Sequence, residues 1–264
     1  MGTVLNREQP VNKRIFDAHF HIIAPGFPLV DNDGYLPDPF TVEDYACQTQ
    51  GLGIVAGAVV SGSFQAFDQE YLINTVERLG SAFVGVTQLP ASTRDSEILR
   101  LHALGIRAIR FNIKRGGSES VENLESFARR VHDLAGWHVE LHVDSCHLPE
   151  LEAVLLRLPS VSIDHLGLSQ EGLPTVLRLA ERGVRVKATG FGRVDFPVPD
   201  ALRAIYAANP NALMFGTDLP STRAIRPFEA QDIELIAEAL GEEGTAMVLW
   251  RNAIEFYRPA GVLV

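Results

Sequence analysis

Two histidines spaced two positions apart, His19 and His21, are the first residues in the chain whose types and spacing could do chemistry. They lie in the apolar segment FDAHFHI, which is typical of a buried β-strand. Successive side chains of a strand point to opposite faces. We therefore expect two sets: Asp17, His19 and His21 on one face, and Phe16, Ala18 and Phe20 on the other. Neutral imidazole can ligate a zinc-type cation or hydrogen-bond a substrate, so the spacing leaves both kinds of site open.

Polar side chains also lie at the carboxyl ends of most of the other strand-like runs. In chain order they are Ser61 and Ser63, Thr87 and Gln88, Arg110 and Asn112, His142 and Asp144, Asp164 and His165, Lys187 and Thr189, and Asp218. Two histidines from one strand, a histidine from another and an aspartate from a third can form a mononuclear metal site with room for water. The remaining histidines are His102, His132, His138 and His147, and we expect surface or hydrogen-bonded side chains there.

The elements that would position these residues alternate between strand and helix along the chain. Eight strand-like runs lie at about 14–22, 53–63, 82–89, 107–113, 137–143, 161–167, 184–190 and 212–220. Segments with helical periodicity cover roughly 41–50, 67–79, 95–104, 121–135, 149–157, 172–182, 199–208 and 229–240, and a last helix follows in TAMVLWRNAIEFY. This pattern predicts an α/β fold of the (β/α)8 TIM-barrel type, one domain over residues 1–264, with an extra C-terminal helix. An open doubly wound sheet is the alternative, but no G-x-G-x-x-G turn follows the first strand.

In such barrels the catalytic residues stand at the carboxyl ends of the strands. We therefore expect the polar set of the first strand to face the barrel axis, with both histidines nearest the mouth, and its apolar set to pack on the helices. Arg110 points inward by the same alternation, and an inward arginine at a barrel mouth requires an anionic partner. The segment 24–40, rich in proline and glycine, would form a loop over this mouth.

Composition narrows the classes of protein and partner. The 264 residues carry a formal net charge of −10 and 46% hydrophobic residues. This is typical of a globular chain and argues against a general binder of nucleic acid or of anionic membranes. The longest apolar run, GLGIVAGAVV, is about half of a membrane span, and the N-terminal segment lacks the apolar core of a signal peptide. The cysteines Cys47 and Cys146 form no disulfide framework, so we expect a cytoplasmic protein.

Taken together, the motifs resemble the amidohydrolase superfamily. FDAHFH in the first strand, IDHLG in the sixth and FGTDLP in the eighth carry the resemblance. GIRAIRFNIKR and GWHVELHVDSCHLPEL are similar to the branch that contains 2-pyrone-4,6-dicarboxylate lactonase and sugar-lactone hydrolases. The resemblance implies a hydrolase that opens a carboxylated pyrone or a sugar lactone, with a small anionic or polyhydroxylated lactone as the partner. Formation of a homo-oligomer is compatible with it.

The resemblance also implies roles for individual residues. Asp218 would be the general base that takes a proton from the attacking water, and His165 would polarise the carbonyl or move the proton. His19 and His21 would ligate a metal or donate hydrogen bonds to the carbonyl oxygen. Arg110, together with Lys114 or Arg115, would hold a substrate carboxylate. Weaker binding candidates are Ser63 and Arg193, with Arg223 and Arg226 as further anion contacts.

The fifth strand bears on whether a metal is needed. The pyrone lactonase branch is understood to work without a metal and to have a tyrosine where this chain has His142. In metal-dependent relatives a histidine there completes the site, so His19, His21, His142 and Asp218 could bind one Zn²⁺. The alternative is that His142 replaces the tyrosine as a substrate contact in a metal-independent enzyme. The segment VELHVD contains no lysine, which argues against a binuclear centre bridged by a carbamylated lysine.

Two other functions use the same residues. A metal-dependent decarboxylase of an aromatic or unsaturated acid would employ the same histidines and aspartate, and would contain stoichiometric metal. A non-catalytic barrel that binds a small anion would bind its ligand without turning it over, although no residue in the sequence favours it.

Overall fold

Eight parallel strands alternate with helices over residues 14–262, the part of the chain that the computed structural model describes. The strands are β1 (Ile15–Phe20), β2 (Ile54–Val60), β3 (Phe83–Thr87), β4 (Ile106–Asn112), β5 (His138–His142), β6 (Val161–Ile163), β7 (Arg185–Ala188) and β8 (Leu213–Phe215). The helices are α1 (Val42–Gln48), α2 (Glu70–Leu79), α3 (Asp95–Ala103), α4 (Leu124–Ala135), α5 (Leu148–Leu155), α6 (Leu173–Glu181), α7 (Val198–Ala208), α8 (Gln231–Ala246) and α9 (Asn252–Tyr257). Every strand and helix predicted from the sequence is present, and each strand pairs with its successor in the chain.

The helices follow from ordinary local rules. In α4 the buried residues Leu124, Phe127, Ala128 and Val131 repeat at helical spacing, which gives the helix one apolar stripe for the barrel. The helix ends where Gly136 adopts left-handed backbone with φ of 65°. Within residues 14–262, no helix combines the length and the apolar character needed to cross a membrane.

The barrel closes between the last strand and the first. Beyond β8, the backbone N–H of Asp218 donates to the His19 carbonyl at 2.7 Å, and that of His21 donates to the Leu219 carbonyl at 2.7 Å. Gly216 permits this approach, because a Cβ there would lie 2.7 Å from the backbone nitrogen of His19. Closure therefore places the loop after β8 directly against the end of β1 and completes the predicted TIM barrel.

Alternation along β1 differs from the prediction. Phe16 and Ala18 belong to the cluster that fills the barrel with Met214, whereas Asp17 accepts a hydrogen bond of 2.9 Å from the Tyr45 hydroxyl on α1. The register with β2 shifts between Asp17 and Phe20, which is the mark of a bulge. The prediction that Asp17 faces the axis while Phe16 and Ala18 face the helices is thus wrong. The bulge resets the alternation, so that Phe20 packs outward and the two histidines face the mouth.

The C-terminal segment closes the opposite end of the barrel. A π-helical turn, Met247–Arg251, joins α8 to α9, and this is the extra C-terminal helix that the sequence predicted. Tyr257 at its end is buried and stacks on Phe16 with ring centroids 5.1 Å apart. Its hydroxyl donates to Glu140 Oε1 at 2.5 Å inside the barrel. In the described part of the chain, the C-terminal segment therefore covers the N-terminal ends of the strands, whereas the mouth at their carboxyl ends is open.

Candidate active site

Three buried side chains converge at the mouth of the barrel: His19, His21 and Asp218. His19 Nε2 lies 3.9 Å from Asp218 Oδ1, and His21 Nε2 lies 4.0 Å from the same oxygen. The convergence follows from barrel closure, because the loop after β8 is hydrogen-bonded to the end of β1. The structure thus brings together three of the four residues that the sequence proposes as metal ligands.

His165 and Asp218 lie just beyond β6 and β8, on backbone that L-residues rarely adopt. Their φ angles are 53° and 62°. Left-handed backbone at non-glycine residues costs about 1–3 kcal/mol each and persists chiefly at functional sites. The sequence places both residues within strands, which is wrong, because β6 ends at Ile163 and β8 ends at Phe215. Gly190 leaves space for His165, since a Cβ there would lie 2.6 Å from His165 Nδ1.

Burial keeps the histidines of the site neutral at pH 7. It lowers the pKa of His21 to about 3 and the pKa values of His19 and His165 well below their usual range. The Val60 carbonyl oxygen lies 2.6 Å from His21 Nδ1, which therefore donates its proton there. His21 Nε2 is left with a lone pair that points toward Asp218.

Asp218 has one oxygen held and one oxygen free. Arg193 Nε donates to Oδ2 at 2.6 Å, whereas Oδ1 has no hydrogen-bond partner among the described residues. Burial raises the pKa of the carboxyl group, and the Arg193 charge opposes that shift. A positioned carboxylate with a free oxygen is suited to take a proton from water.

A buried chain of four charged side chains runs below this group. We call Arg110, Asp164, Lys187 and Glu140 the axial ion chain. Arg110 Nη2 donates to Asp164 Oδ2 at 2.8 Å, Lys187 Nζ lies 3.5 Å from Asp164 Oδ1, and Lys187 Nζ also donates to Glu140 Oε2. Two cations balance two anions, as buried charges require.

The axial ion chain changes the interpretation of Arg110. The sequence assigns its anionic partner to a substrate, but Asp164 occupies that role inside the protein. Sequence analysis assigns no role to Lys187 or Glu140. The available signal was charged residues at alternate positions of two otherwise apolar strands, RVKA and HVELH.

A pocket that is partly open to solvent adjoins the three converging residues through His21. Its lining includes His21, His142, His165, Ser63, Tyr35 and Asn112, together with Arg110, Arg115, Arg193 and Arg223. Arg223 stacks on the Tyr35 ring at 4.2 Å and donates to Asn32 Oδ1 at 3.0 Å, so the predicted mouth loop 24–40 forms one wall. Over residues 14–262, no carboxylate oxygen lies within 4.0 Å of the Arg115 or Arg223 guanidinium.

Two of the cations proposed from the sequence lie elsewhere. Lys114 Nζ donates to Asp144 Oδ2 at 2.6 Å and does not line the pocket. Arg226 Nη2 donates to Asp232 Oδ1 at 2.7 Å, behind the mouth. Both have carboxylate partners within the protein, and the structure gives neither one a place at the site.

The donor set at the mouth fits one divalent cation. His19 Nε2, His21 Nε2 and Asp218 Oδ1 lie within 4.8 Å of one another, and two of these atoms lack any hydrogen-bond partner in the described chain. Imidazole and carboxylate are the ligands that zinc-type cations prefer. His142 is not part of this group, and its Nδ1 is instead 3.0 Å from Asn112 Oδ1. The fourth proposed ligand is therefore a pocket-wall residue in this structure.

Comparison with known proteins gives a consistent picture. A family model described as Amidohydrolase matches residues 16–258. The chain is 31% identical to a 2-pyrone-4,6-dicarboxylate hydrolase of Comamonas testosteroni over 57% of this chain, and it spans about half of that relative, 51%. It is 28% identical to a D-galactarolactone isomerase of Agrobacterium fabrum, covering 92% of this chain and 89% of the relative. It is 26% identical to a 4-sulfomuconolactone hydrolase of Rhizobium radiobacter, covering 84% and 81%.

Solved structures share the fold. A protein of Agrobacterium tumefaciens superposes with a TM-score of 0.82 at 24% identity, covering 93% of this chain and 96% of its own. An Acinetobacter baumannii protein described as a probable 2-pyrone-4,6-dicarboxylic acid hydrolase gives a TM-score of 0.80 at 22% identity, with coverage of 93% and 99%. At these identities the likeness establishes the barrel architecture.

Proposed function

The chain belongs to the amidohydrolase family, and from this premise we propose that it is a hydrolase that opens the ring of a carboxylate-bearing lactone. One observation carries the proposal: Asp218, buried and with one free oxygen, adjoins a pocket lined by arginines, because it accepts a hydrogen bond from Arg193 and lies 4.0 Å from His21, which both line that pocket. The names of the three relatives support it, because each refers to a protein that acts on a lactone.

The reaction adds water across the ring ester bond. Asp218 Oδ1 accepts a proton from water while the water oxygen bonds to the ring carbonyl carbon. His19 and His165, which burial keeps neutral, stabilise the oxyanion that forms on the carbonyl oxygen by donating hydrogen bonds. The bond from that carbon to the ring oxygen then breaks, and protonated Asp218 returns its proton to the leaving oxygen. The product is an open-chain hydroxy acid or its keto tautomer.

A bound metal would be held by His19, His21 and Asp218. It would polarise the carbonyl and lower the pKa of water. We propose zinc as its identity, because two imidazoles and a carboxylate form a zinc-type donor set. In either case Asp218 would face the attacking water, and Arg193 would keep the carboxylate oriented through its other oxygen. With a metal bound, His19 Nε2 would be a ligand, and His165 would be left to donate to the oxyanion.

Charge balance at the mouth supports an anionic substrate. The axial ion chain is neutral overall, and Arg193 is paired with Asp218. Arg115 and Arg223 are the pocket cations without a carboxylate partner in the described chain, and each lowers its electrostatic energy when an anion enters. Pyrones with two carboxylates and sugar lactones with one both meet this requirement, and neutral lactones do not.

The test is a lactone panel with proton release as the readout. Purified protein, with and without added Zn²⁺, is expected to hydrolyse pyrone carboxylates or carboxylated sugar lactones in preference to neutral lactones of equal ring size. Hydrolysis releases one acid proton per turnover, whereas isomerisation of a lactone releases none, so pH-stat titration separates the two reactions. Absence of turnover across the panel under both metal conditions would contradict the proposal.

A further inference from the structure

We infer that Lys187 is a positioning residue that holds His19 in the tautomer with its proton on Nε2, facing the substrate. Lys187 lies on β7 and its side chain is completely buried. Its Nζ is 3.1 Å from His19 Nδ1. Pairing with Glu140 and Asp164 balances the buried charge of Lys187, but it does not account for the contact of Lys187 with the His19 ring. The assignment of the His19 tautomer stands on geometry alone. The effect of that tautomer on catalysis rests on the proposed function.

The assignment follows from counting donors. A lysine ammonium carries three protons and accepts no hydrogen bond. Around Nζ stand Glu140 Oε2, in direct hydrogen-bond contact, Asp164 Oδ1 at 3.5 Å and His19 Nδ1 at 3.1 Å. Nζ thus has three potential acceptors within 3.5 Å. Asp164 Oδ1 forms an ion pair without hydrogen-bond geometry, and His19 Nδ1 accepts a lysine proton when it offers its lone pair. A proton on Nδ1 would instead oppose a lysine proton, donor against donor.

Asp164 is the competitor for the same ring nitrogen. Its Oδ1 lies 3.4 Å from His19 Nδ1, so the ring could donate to it in the other tautomer. Lys187 Nζ lies closer to that nitrogen, at 3.1 Å, and as an ammonium it can only donate. The other Asp164 oxygen accepts a hydrogen bond from Arg110. With Lys187 in place, the neutral ring therefore carries its proton on Nε2, which is 3.9 Å from Asp218 Oδ1 and has no partner among the described residues.

As a consequence, the two histidines of β1 have opposite tautomers and different hydrogen-bonding roles. His21 donates through Nδ1 to a backbone carbonyl and keeps a lone pair on Nε2. His19 has the opposite arrangement, with an Nε2 proton available to the carbonyl oxygen of a substrate. The same proton occupies the nitrogen that a metal would need. Lys187 therefore favours the hydrogen-bonding use of His19 over its use as a ligand.

The test is the tautomer of His19 in the resting protein, read by two-bond ¹⁵N–¹H correlation with a His19→Asn sample for assignment. The wild type is expected to carry the proton on Nε2. In the double variant Lys187→Met/Glu140→Gln, which removes one cation and one anion together, the ratio of Nε2–H to Nδ1–H is expected to fall at least tenfold. A wild-type proton on Nδ1, or an unchanged ratio in the variant, would overturn the inference.

Tyr257→Phe is the matched control. It removes a hydrogen bond to the far oxygen of Glu140 and leaves the contact of Lys187 with His19 in place, so the tautomer ratio is expected to stay at the wild-type value. On a lactone substrate the double variant is expected to lose 10- to 100-fold in kcat with KM within twofold. If the tautomer result holds but no lactone is hydrolysed, the proposed function fails and the assignment of Lys187 stands.

Discussion

The two ends of the barrel are built by the same strands, yet one end is covered by apolar packing and the other is open to solvent. At the N-terminal end, Phe16 stacks on Tyr257 from α9, and small apolar side chains of β2 complete a buried cluster. At the carboxyl end, His19, His21 and Asp218 meet below a pocket that is open to solvent. One end is a packed apolar core and the other is a partly unsatisfied polar cavity.

The difference shows which end of the barrel contains destabilising features and which end contributes to the free energy of folding. At the mouth lie the left-handed φ angles of His165 and Asp218 and two unpartnered buried atoms, His19 Nε2 and Asp218 Oδ1. Each such feature costs about 1–3 kcal/mol and has to be offset by packing elsewhere. The covered end provides that packing. Function and stability should therefore separate by end, and mutations at the two ends test this separation.

Asp218→Asn is expected to have the largest effect, and on activity alone. An amide cannot accept the water proton, so kcat should fall by about 10³-fold, within the range for loss of a general base. The unfolding transition should remain cooperative, because the amide keeps the shape and an oxygen for Arg193. Steady-state kinetics measure the change in kcat, and thermal unfolding measures whether the transition stays cooperative.

Asp144→Asn is the matched control for that substitution. It also alters an aspartate beyond a strand end, but Asp144 pairs with Lys114 outside the pocket, so kcat should stay within twofold of wild type. Full activity in Asp218→Asn would remove the aspartate from the mechanism.

Phe16→Ala is expected to show the reverse pattern at the covered end. Truncation of a fully buried aromatic ring costs about 3–5 kcal/mol of unfolding free energy, because a cavity replaces the contact with Tyr257. The kcat/KM of the folded protein should change by less than about threefold. Urea unfolding and low-temperature kinetics provide the two measurements. Phe16→Leu, which refills most of the volume, should recover more than half of the loss. A larger effect on kcat than on stability would contradict the separation of the two ends.

The same comparison explains what could be predicted from the sequence. Strand count, helix positions and the meeting of His19, His21 and Asp218 follow from periodicity and from the rule that strand carboxyl ends share one edge. The bulge in β1 did not follow, since alternation of FDAHFHI carries no mark of an inserted residue. Asp17 was consequently misplaced, although its contacts with Tyr45 and Thr217 serve barrel closure.

Contacts between side chains of strands that are distant in the sequence could not be predicted either. The pairing of Arg110 with Asp164 joins residues 54 positions apart, and that of Lys187 with Glu140 joins residues 47 apart. Residue type predicts only that an inward arginine needs an anion, and a substrate or an internal aspartate satisfies that need equally well. The partner is fixed by barrel geometry, which places β4 and β6 side chains at one height.

The smallest predicted effect compares two adjacent cations, Arg115 and Lys114. Arg115 lines the pocket without a carboxylate partner in the described chain, whereas Lys114 is paired with Asp144 outside it. Arg115→Gln should raise KM for a carboxylated lactone by about tenfold, equivalent to about 1.4 kcal/mol, with kcat within threefold. Lys114→Gln should leave both constants within twofold. A neutral lactone should not distinguish Arg115→Gln from wild type, since the lost interaction is with the carboxylate. Equal KM changes in the two variants would mean that the mouth acts through its overall charge and that the pocket position of Arg115 is immaterial.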